Sequence, residues 1–259
     1  MNIRTPGFIT TKSDHRLAYH QLDGQTSHYP GIIFLGGFMS DMNGTKATFF
    51  EEFCRQQGFG YVRFDYTGHG QSSGKFEEGT ISAWTEDTLA VLDEITQGPQ
   101  ILVGSSMGGW VMVLAALQRK ARIAGLMGIA AAPDFVQPLI LDKLSHQHQK
   151  EIETKGVCYI PVVADEEPFP ISLKFIQDGK QQIVLNKSID LQCPIRLVHG
   201  LEDSEVPWEF SQKLLERSTS NDVTLTLVKN GDHRLSKPHE LAILADTLKA
   251  LVSSLQLEN

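Results

Sequence analysis

The feature that most constrains the fold of this chain is an alternation. Short apolar runs recur along it, and most are followed by a stretch with helical spacing. The run GIIFL at 31–35 precedes a helical stretch near 44–57, and YVRFDY at 61–66 precedes one near 82–96. ILVG at 101–104 runs into a helix that starts at about Met107. Further runs lie at 123–131, 195–199 and 223–228, and residues 238–255 read as a closing helix. Parallel strands need a crossover between them, and a helix is the compact way to supply one. The alternation therefore predicts an α/β chain with a mostly parallel sheet and helices on both faces. Residues 8–12 and 17–22, either side of Ser13 and Asp14, read as an opening hairpin, which brings the expected strand count to eight.

One stretch breaks the rhythm. Residues 133–187 hold no clean strand–helix pair and are rich in Pro, Lys, Glu and Gln. A long insertion inside a compact domain is usually functional, so the expectation is one domain over residues 1–259 with 133–187 as a cap or lid within it. No repeat or low-complexity segment interrupts this organisation.

Composition narrows the partners. The net charge of −8 supplies no basic stripe for nucleic acid. No apolar run reaches the length of a membrane-spanning helix, so no stable membrane insertion is expected. Cys54, Cys158 and Cys193 form no CxxC pair, and their odd number argues against a disulfide framework. The N-terminal residues lack the apolar stretch of a signal peptide, and a cytoplasmic location is expected. No clustered metal-ligand spacing occurs, so neither a metal nor a cofactor is expected. The partner is then a small-molecule or acylated substrate, and the sequence sets no oligomeric state.

In parallel sheets the sites for chemistry lie at the carboxyl ends of the strands. Three such places matter here. The first is Gly104-Ser105-Ser106-Met107-Gly108, a G-x-S-x-G match between ILV and a helical run. Such a turn pushes one serine hydroxyl out at the top of the sheet, and the small residues two before and two after let strand and helix approach. That register selects Ser106, because Ser105 would need glycine where Val103 and Met107 stand. The second is the loop after 195–199, where Asp203 follows the serine and precedes the terminal histidine. Asp203 is the expected acid, with Glu202, Glu205 and Asp134 as rivals. The third is Asn230-Gly231-Asp232-His233, after the last strand. His233 alone among the nine histidines has both the location and the chain order of a general base. His199 falls before Asp203, His69 lies in a turn, and His239 falls in the last helix.

An unactivated serine hydroxyl is a poor nucleophile, so the base is required, and the oxyanion needs donors. The backbone N–H of Met107 and that of Phe38, in the loop LGGFM, are the expected oxyanion hole. Met39, Phe135, Leu139 and Trp208 are candidate substrate-pocket residues, as apolar side chains near strand ends or in the cap. Trp110 reads instead as helix packing. Arg234, beside the base, could face an anionic leaving group, although a solvated arginine is the simpler reading.

Taken in order, these motifs resemble the α/β-hydrolase superfamily across nearly the whole chain. The segments SDMNGTKA, GSSMGGW and CPIRLVHGLEDSEVPW are similar to a narrower group, the α/β-hydrolase-domain family that contains the mitochondrial palmitoyl-protein thioesterase also known as mycophenolic acid acyl-glucuronide esterase. The resemblance implies an esterase or thioesterase, and it maps a Ser-His-Asp triad onto Ser106, His233 and Asp203. The chain shows no obvious transit segment and looks like a bacterial relative of that family. It departs from many α/β-hydrolases at Gly36, where a histidine is common. The rivals are peptidase, haloperoxidase-like or lyase chemistry on the same scaffold, and a non-catalytic receptor that binds a small ligand.

Overall fold

A computed structural model describes residues 6–25, 28–160 and 168–255. Eight strands form one sheet in the order β1-β2-β4-β3-β5-β6-β9-β10. They are β1 (Gly7–Thr10), β2 (Arg16–Leu22), β3 (Gly31–Leu35), β4 (Tyr61–Phe64), β5 (Gln100–Ser105), β6 (Ile123–Ile129), β9 (Ile195–Gly200) and β10 (Val223–Val228). β1 pairs antiparallel with β2, and β2 antiparallel with β4; every other pair in the sheet is parallel. The mostly parallel eight-stranded sheet read from the alternation is therefore present.

The period of two along each strand sorts side chains onto two cores. In β3, Ile32 and Phe34 join one core, and Ile33 and Leu35 join the other. The first core packs against α1 (Thr45–Gln57) and α7 (Pro238–Ser254), through Phe50, Cys54, Leu244 and Leu248. The second packs against α2 (Ile81–Glu94) and α3 (Met107–Gln118), through Trp84, Leu92, Trp110 and Val111. α3 is apolar nearly all round and has nine buried residues, so it lies inside the molecule rather than on it. Trp110 is fully buried there, with its indole N–H donated to the Gln182 carbonyl at 3.0 Å, which is a packing role.

Residues 133–187 are more regular than their composition suggested. A π-helical turn at Val136–Ile140 and a 3-10 turn at Leu141–Lys143 lead into α4 (His146–Lys155). β7 (Val157–Ile160) and β8 (Phe169–Ser172) then pair antiparallel as a separate two-stranded sheet, and β8 runs directly into α5 (Leu173–Gln181). The expectation of no strand–helix pair is thus corrected. The strands are too short to show a period, while Ser145 and Ser172 cap the two helices by accepting from the N–H of His148 and of Phe175. Residues 161–167 of this segment lie outside the described residues. A further helix that the sequence reading did not separate, α6 (Glu209–Arg217), packs on β9 and β10.

Among the described residues, no helix is long and apolar enough to cross a membrane.

Candidate active site

The turn between β5 and α3 carries Ser106 at φ 54° and ψ −120°, a conformation that costs energy for a residue with a Cβ. The surroundings hold it. Ser106 donates its N–H to the Ile129 carbonyl at 2.9 Å, and its own carbonyl accepts from the N–H of Ala132 at 3.1 Å. The flanking glycines are a steric requirement. A Cβ on Gly104 would sit 2.4 Å from the Gly108 carbonyl oxygen, and one on Gly108 would sit 2.2 Å from that of Leu35. Ser105 is buried at 6% exposure, whereas Ser106 is partly open, so the register chosen from the glycines agrees with accessibility.

Two loops converge on that hydroxyl. His233, in the loop after β10, places Nε2 3.1 Å from Ser106 Oγ. Its Nδ1 lies 2.7 Å from Oδ2 of Asp203, in the loop after β9. An ionised carboxylate only accepts, so the partners assign the imidazole proton to Nδ1 and leave Nε2 free to accept from the serine. The two loops are held together tightly: a Cβ on Gly200 would lie 2.2 Å from the Gly231 carbonyl oxygen. Such a row can take a proton from the hydroxyl and return it to a leaving group.

The Asp203 side chain is fully buried. Burial works against its charge, but hydrogen bonds from His199, His233 and the Val206 N–H outweigh it and hold the carboxyl well below the usual carboxylate range. The rival acids are placed otherwise. Asp134 accepts from the N–H groups of Val184 and Leu185, at 2.9 and 2.7 Å. Glu205 comes no closer than 3.9 Å to His233 Nε2 and is largely exposed, as is Glu202.

The loop after β3 lies over the serine. A Cβ on Gly37 would be 3.4 Å from Ser106 Cβ. Among the described residues, neither the N–H of Phe38 nor that of Met107 donates to a backbone carbonyl. The loop is fixed from below by Asp65, buried at 1% exposure, which accepts from the N–H of Met42 at 2.6 Å. Arg63 donates to the Met42 carbonyl at 2.7 Å and to Asn43 Oδ1 at 3.0 Å. These anchors give the segment SDMNGTKA a physical reason: Met42 and Asn43 tie the loop to β4, while Ser40 and Lys46 reach the cavity.

That cavity holds about 570 Å³ and is lined by Ser106 and His233 together with Phe38, Met39, Lys46 and Phe169. Lys46 donates to the Arg234 carbonyl at 2.5 Å, and burial pulls its ammonium down to about 8. Two larger cavities, of about 660 and 730 Å³, contain none of the row and lie elsewhere on the molecule.

The candidate pocket residues divide. Phe38 and Met39 line the cavity. Phe135 is buried in an aromatic cluster, 6.1 Å from the ring of Phe38 and 5.7 Å from that of Trp110. Leu139 is half-buried in the π-helical turn, and Trp208 is half-buried at the start of α6. Neither they nor Phe135 line the cavity; Phe135 and Leu139 are taken up by the core instead. Phe169, from β8, lines it instead; the sequence offered no sign of this, since a lone Phe beside Pro carries no periodicity. His199, which chain order excludes as the base, lies against Asp203. Arg234 is exposed at the cavity rim. The three cysteines are free, and burial pushes Cys193 up to about 11 and Cys54 higher still, so none has the character of a reactive thiolate.

A family described as serine aminopeptidase, S33, matches residues 30–153. The bovine (Bos taurus) protein named palmitoyl-protein thioesterase ABHD10, mitochondrial, is 41% identical over 96% of this chain and 80% of its own length. The solved mouse alpha/beta hydrolase domain-containing protein 10 is similar with a TM-score of 0.87 and 40% identity, covering 97% of this chain and all of its own. A putative hydrolase from Agrobacterium vitis S4 is similar with a TM-score of 0.91 and 36% identity, over 95% of this chain and 98% of that one.

Proposed function

The chain belongs to the α/β-hydrolase family, together with the relatives named palmitoyl-protein thioesterase ABHD10, and we propose that it is a serine hydrolase that cleaves a carboxylic ester or thioester through an acyl-enzyme. The observation that carries this reading is the row Ser106–His233–Asp203, with hydrogen-bonded contacts of 3.1 and 2.7 Å.

In this reading Ser106 Oγ attacks the acyl carbonyl as His233 Nε2 takes its proton. Asp203 holds the imidazolium and its tautomer. The N–H groups of Phe38 and Met107 receive the oxyanion, where each such donor typically contributes about 3 kcal/mol to lowering the barrier. His233 then protonates the departing alkoxide. A thiolate leaves without that help, so the row serves both ester and thioester. Water, activated by the same imidazole, releases the acid and restores Ser106. Phe38, Met39 and Phe169 supply an apolar wall suited to an acyl chain.

The test is labelling with a fluorophosphonate, together with turnover of p-nitrophenyl esters and acyl thioesters. The wild type labels and turns over, and Ser106→Ala does neither while melting at a similar temperature. A wild type that is inert to the probe and to both substrate classes overturns the reading in favour of a ligand-binding role.

A further inference from the structure

Asp203 sits between two imidazoles, and only one of them belongs to the row described above. His199, the penultimate residue of β9, is fully buried. Its Nε2 lies 3.1 Å from Asp203 Oδ2 and 3.0 Å from the Val206 carbonyl oxygen. Both neighbours are acceptors, so the partners assign a proton to Nε2. Its Nδ1 lies 2.7 Å from Oγ of Ser211, which is also fully buried, on α6, and whose hydroxyl can donate to it. On the other side of the carboxylate, Oδ1 accepts from the N–H groups of Glu205 at 3.0 Å and Val206 at 2.8 Å.

The arrangement is more specific than a satisfied core histidine requires. Oδ2 receives both imidazoles, from His233 at 2.7 Å and from His199 at 3.1 Å, while Oδ1 receives two amides. Four donors around two oxygens leave the carboxylate a single orientation. Without the N–H of His199, Oδ2 would keep only His233, the partner whose charge changes in each cycle.

We propose that His199 is a positioning residue for the hydrolytic centre, whose Nε2–H, backed by Ser211, fixes Asp203 so that Oδ2 stays in line with His233. This rests on the hydrolase reading above. His199 touches no substrate atom and acts only through Asp203.

Three variants test it. His199→Phe keeps a flat ring of similar size and removes the donor. His199→Gln keeps an N–H able to reach Asp203. Ser211→Ala removes the support behind the ring and perturbs packing least. Partners that orient a metal-bound histidine from behind typically matter roughly 10- to 100-fold, and a partner that orients the acid of this row is expected to matter on the same scale. In samples shown to be folded by circular dichroism, His199→Phe lowers kcat by that factor with KM within about twofold, His199→Gln recovers most of the loss, and Ser211→Ala falls between. A folded His199→Phe with kcat near the wild type overturns the proposal, and so does a Gln variant as poor as Phe. If His199→Phe fails to fold, the ratio of Ser211→Ala to wild type decides by the same split between kcat and KM. A wild type that is inert overturns the hydrolase reading itself. The geometric claim is then read by 15N NMR of labelled histidine. His199 shows the Nε2–H tautomer in the wild type, as donation to Asp203 and to the Val206 carbonyl requires. A wild-type His199 protonated on Nδ1 instead overturns the proposal in that case too.

Discussion

Replacing Asp203 with asparagine removes one oxygen and adds two donors at a point where four donors already converge. The amides of Glu205 and Val206 face Oδ1 at 3.0 and 2.8 Å, and backbone amides cannot reverse their sense. The asparagine oxygen must therefore take the Oδ1 place, which sets its NH2 where Oδ2 stood. That NH2 faces His233 Nδ1 and His199 Nε2, which lie 2.7 and 3.1 Å from Oδ2 in the wild type. His199 can keep its proton for the Val206 carbonyl at 3.0 Å, but His233 has no other acceptor at Nδ1 among the described residues and must give up the proton it holds there. His233 then carries its proton on Nε2, aimed at Ser106, and can no longer accept from the hydroxyl. A triad aspartate replaced in this way costs about 10⁴-fold in kcat, close to 5.5 kcal/mol of barrier. The buried polar mismatch also costs the fold on the order of 1–3 kcal/mol. Steady-state hydrolysis of a p-nitrophenyl ester at pH 7.5 measures the first effect, and thermal melting measures the second. A variant that keeps kcat within tenfold of the wild type refutes the reasoning, because the base would then be working without the tautomer that Asp203 is said to impose.

Other outcomes follow from the same geometry. Gly108→Ala puts a Cβ 2.2 Å from the Leu35 carbonyl and 2.6 Å from that of Gly36, so the loop bearing Phe38 has to move. The expected result is a loss of about 1–3 kcal/mol in stability, together with slower fluorophosphonate labelling, and a variant that labels at the wild-type rate would show the close approach to be dispensable. Two buried groups joined by Thr67 oppose each other in pH dependence. Burial raises Asp87 from 3.8 to about 6, so the native state binds the extra proton and stability falls as pH rises through that interval. Burial lowers His69 from 6.5 to about 4, so the native state binds fewer protons and stability rises over nearly the same interval. Each slope amounts to roughly 3 kcal/mol across its window, and in the wild type they nearly cancel. Relative to the wild type, melting from pH 4 to 6.5 should slope upward with pH for Asp87→Asn and downward for His69→Phe; parallel curves for all three would show that burial does not set these groups.

Several parts of this molecule were legible in the sequence because a single residue type was sterically obligatory. Glycine at 104 and 108 is what the β5–α3 turn demands, and that spacing singled out Ser106 over Ser105. Chain order was enough to select Asp203 and His233, which the structure brings within 2.7 Å of each other. The apolar periodicity gave each of the eight strands within a few residues; the run at 61–66 stops at Phe64 because Asp65 turns its carboxylate to the loop after β3. What escaped was whatever depends on which neighbour a side chain meets. Apolarity at Leu139 and Trp208 could not say whether they face a ligand or the rest of the protein; Leu139 packs on the core, and neither lines the cavity. His199 was invisible because chain order asks only which histidine reaches the serine, not which one stands behind the acid. β7 and β8, of four residues each, are too short to carry a pattern.

Residues 133–187 leave the sheet after β6 and return to it at β9, and these two strands are hydrogen-bonded neighbours, with Leu126 opposite Ile195 and Ile129 opposite Val198. Because the two strands are parallel, the excursion leaves at one end of this ladder and comes back at the other, on the neighbouring strand. Its exposed stretches can change in length while the β6–β9 pairing keeps the separation of the β5, β9 and β10 loops fixed, provided that Phe135, Phe175 and their neighbours still fill the core. Substitutions at Phe169, the described residue of this stretch that reaches the cavity, therefore alter its wall while the loops bearing Ser106, Asp203 and His233 stay where the sheet puts them.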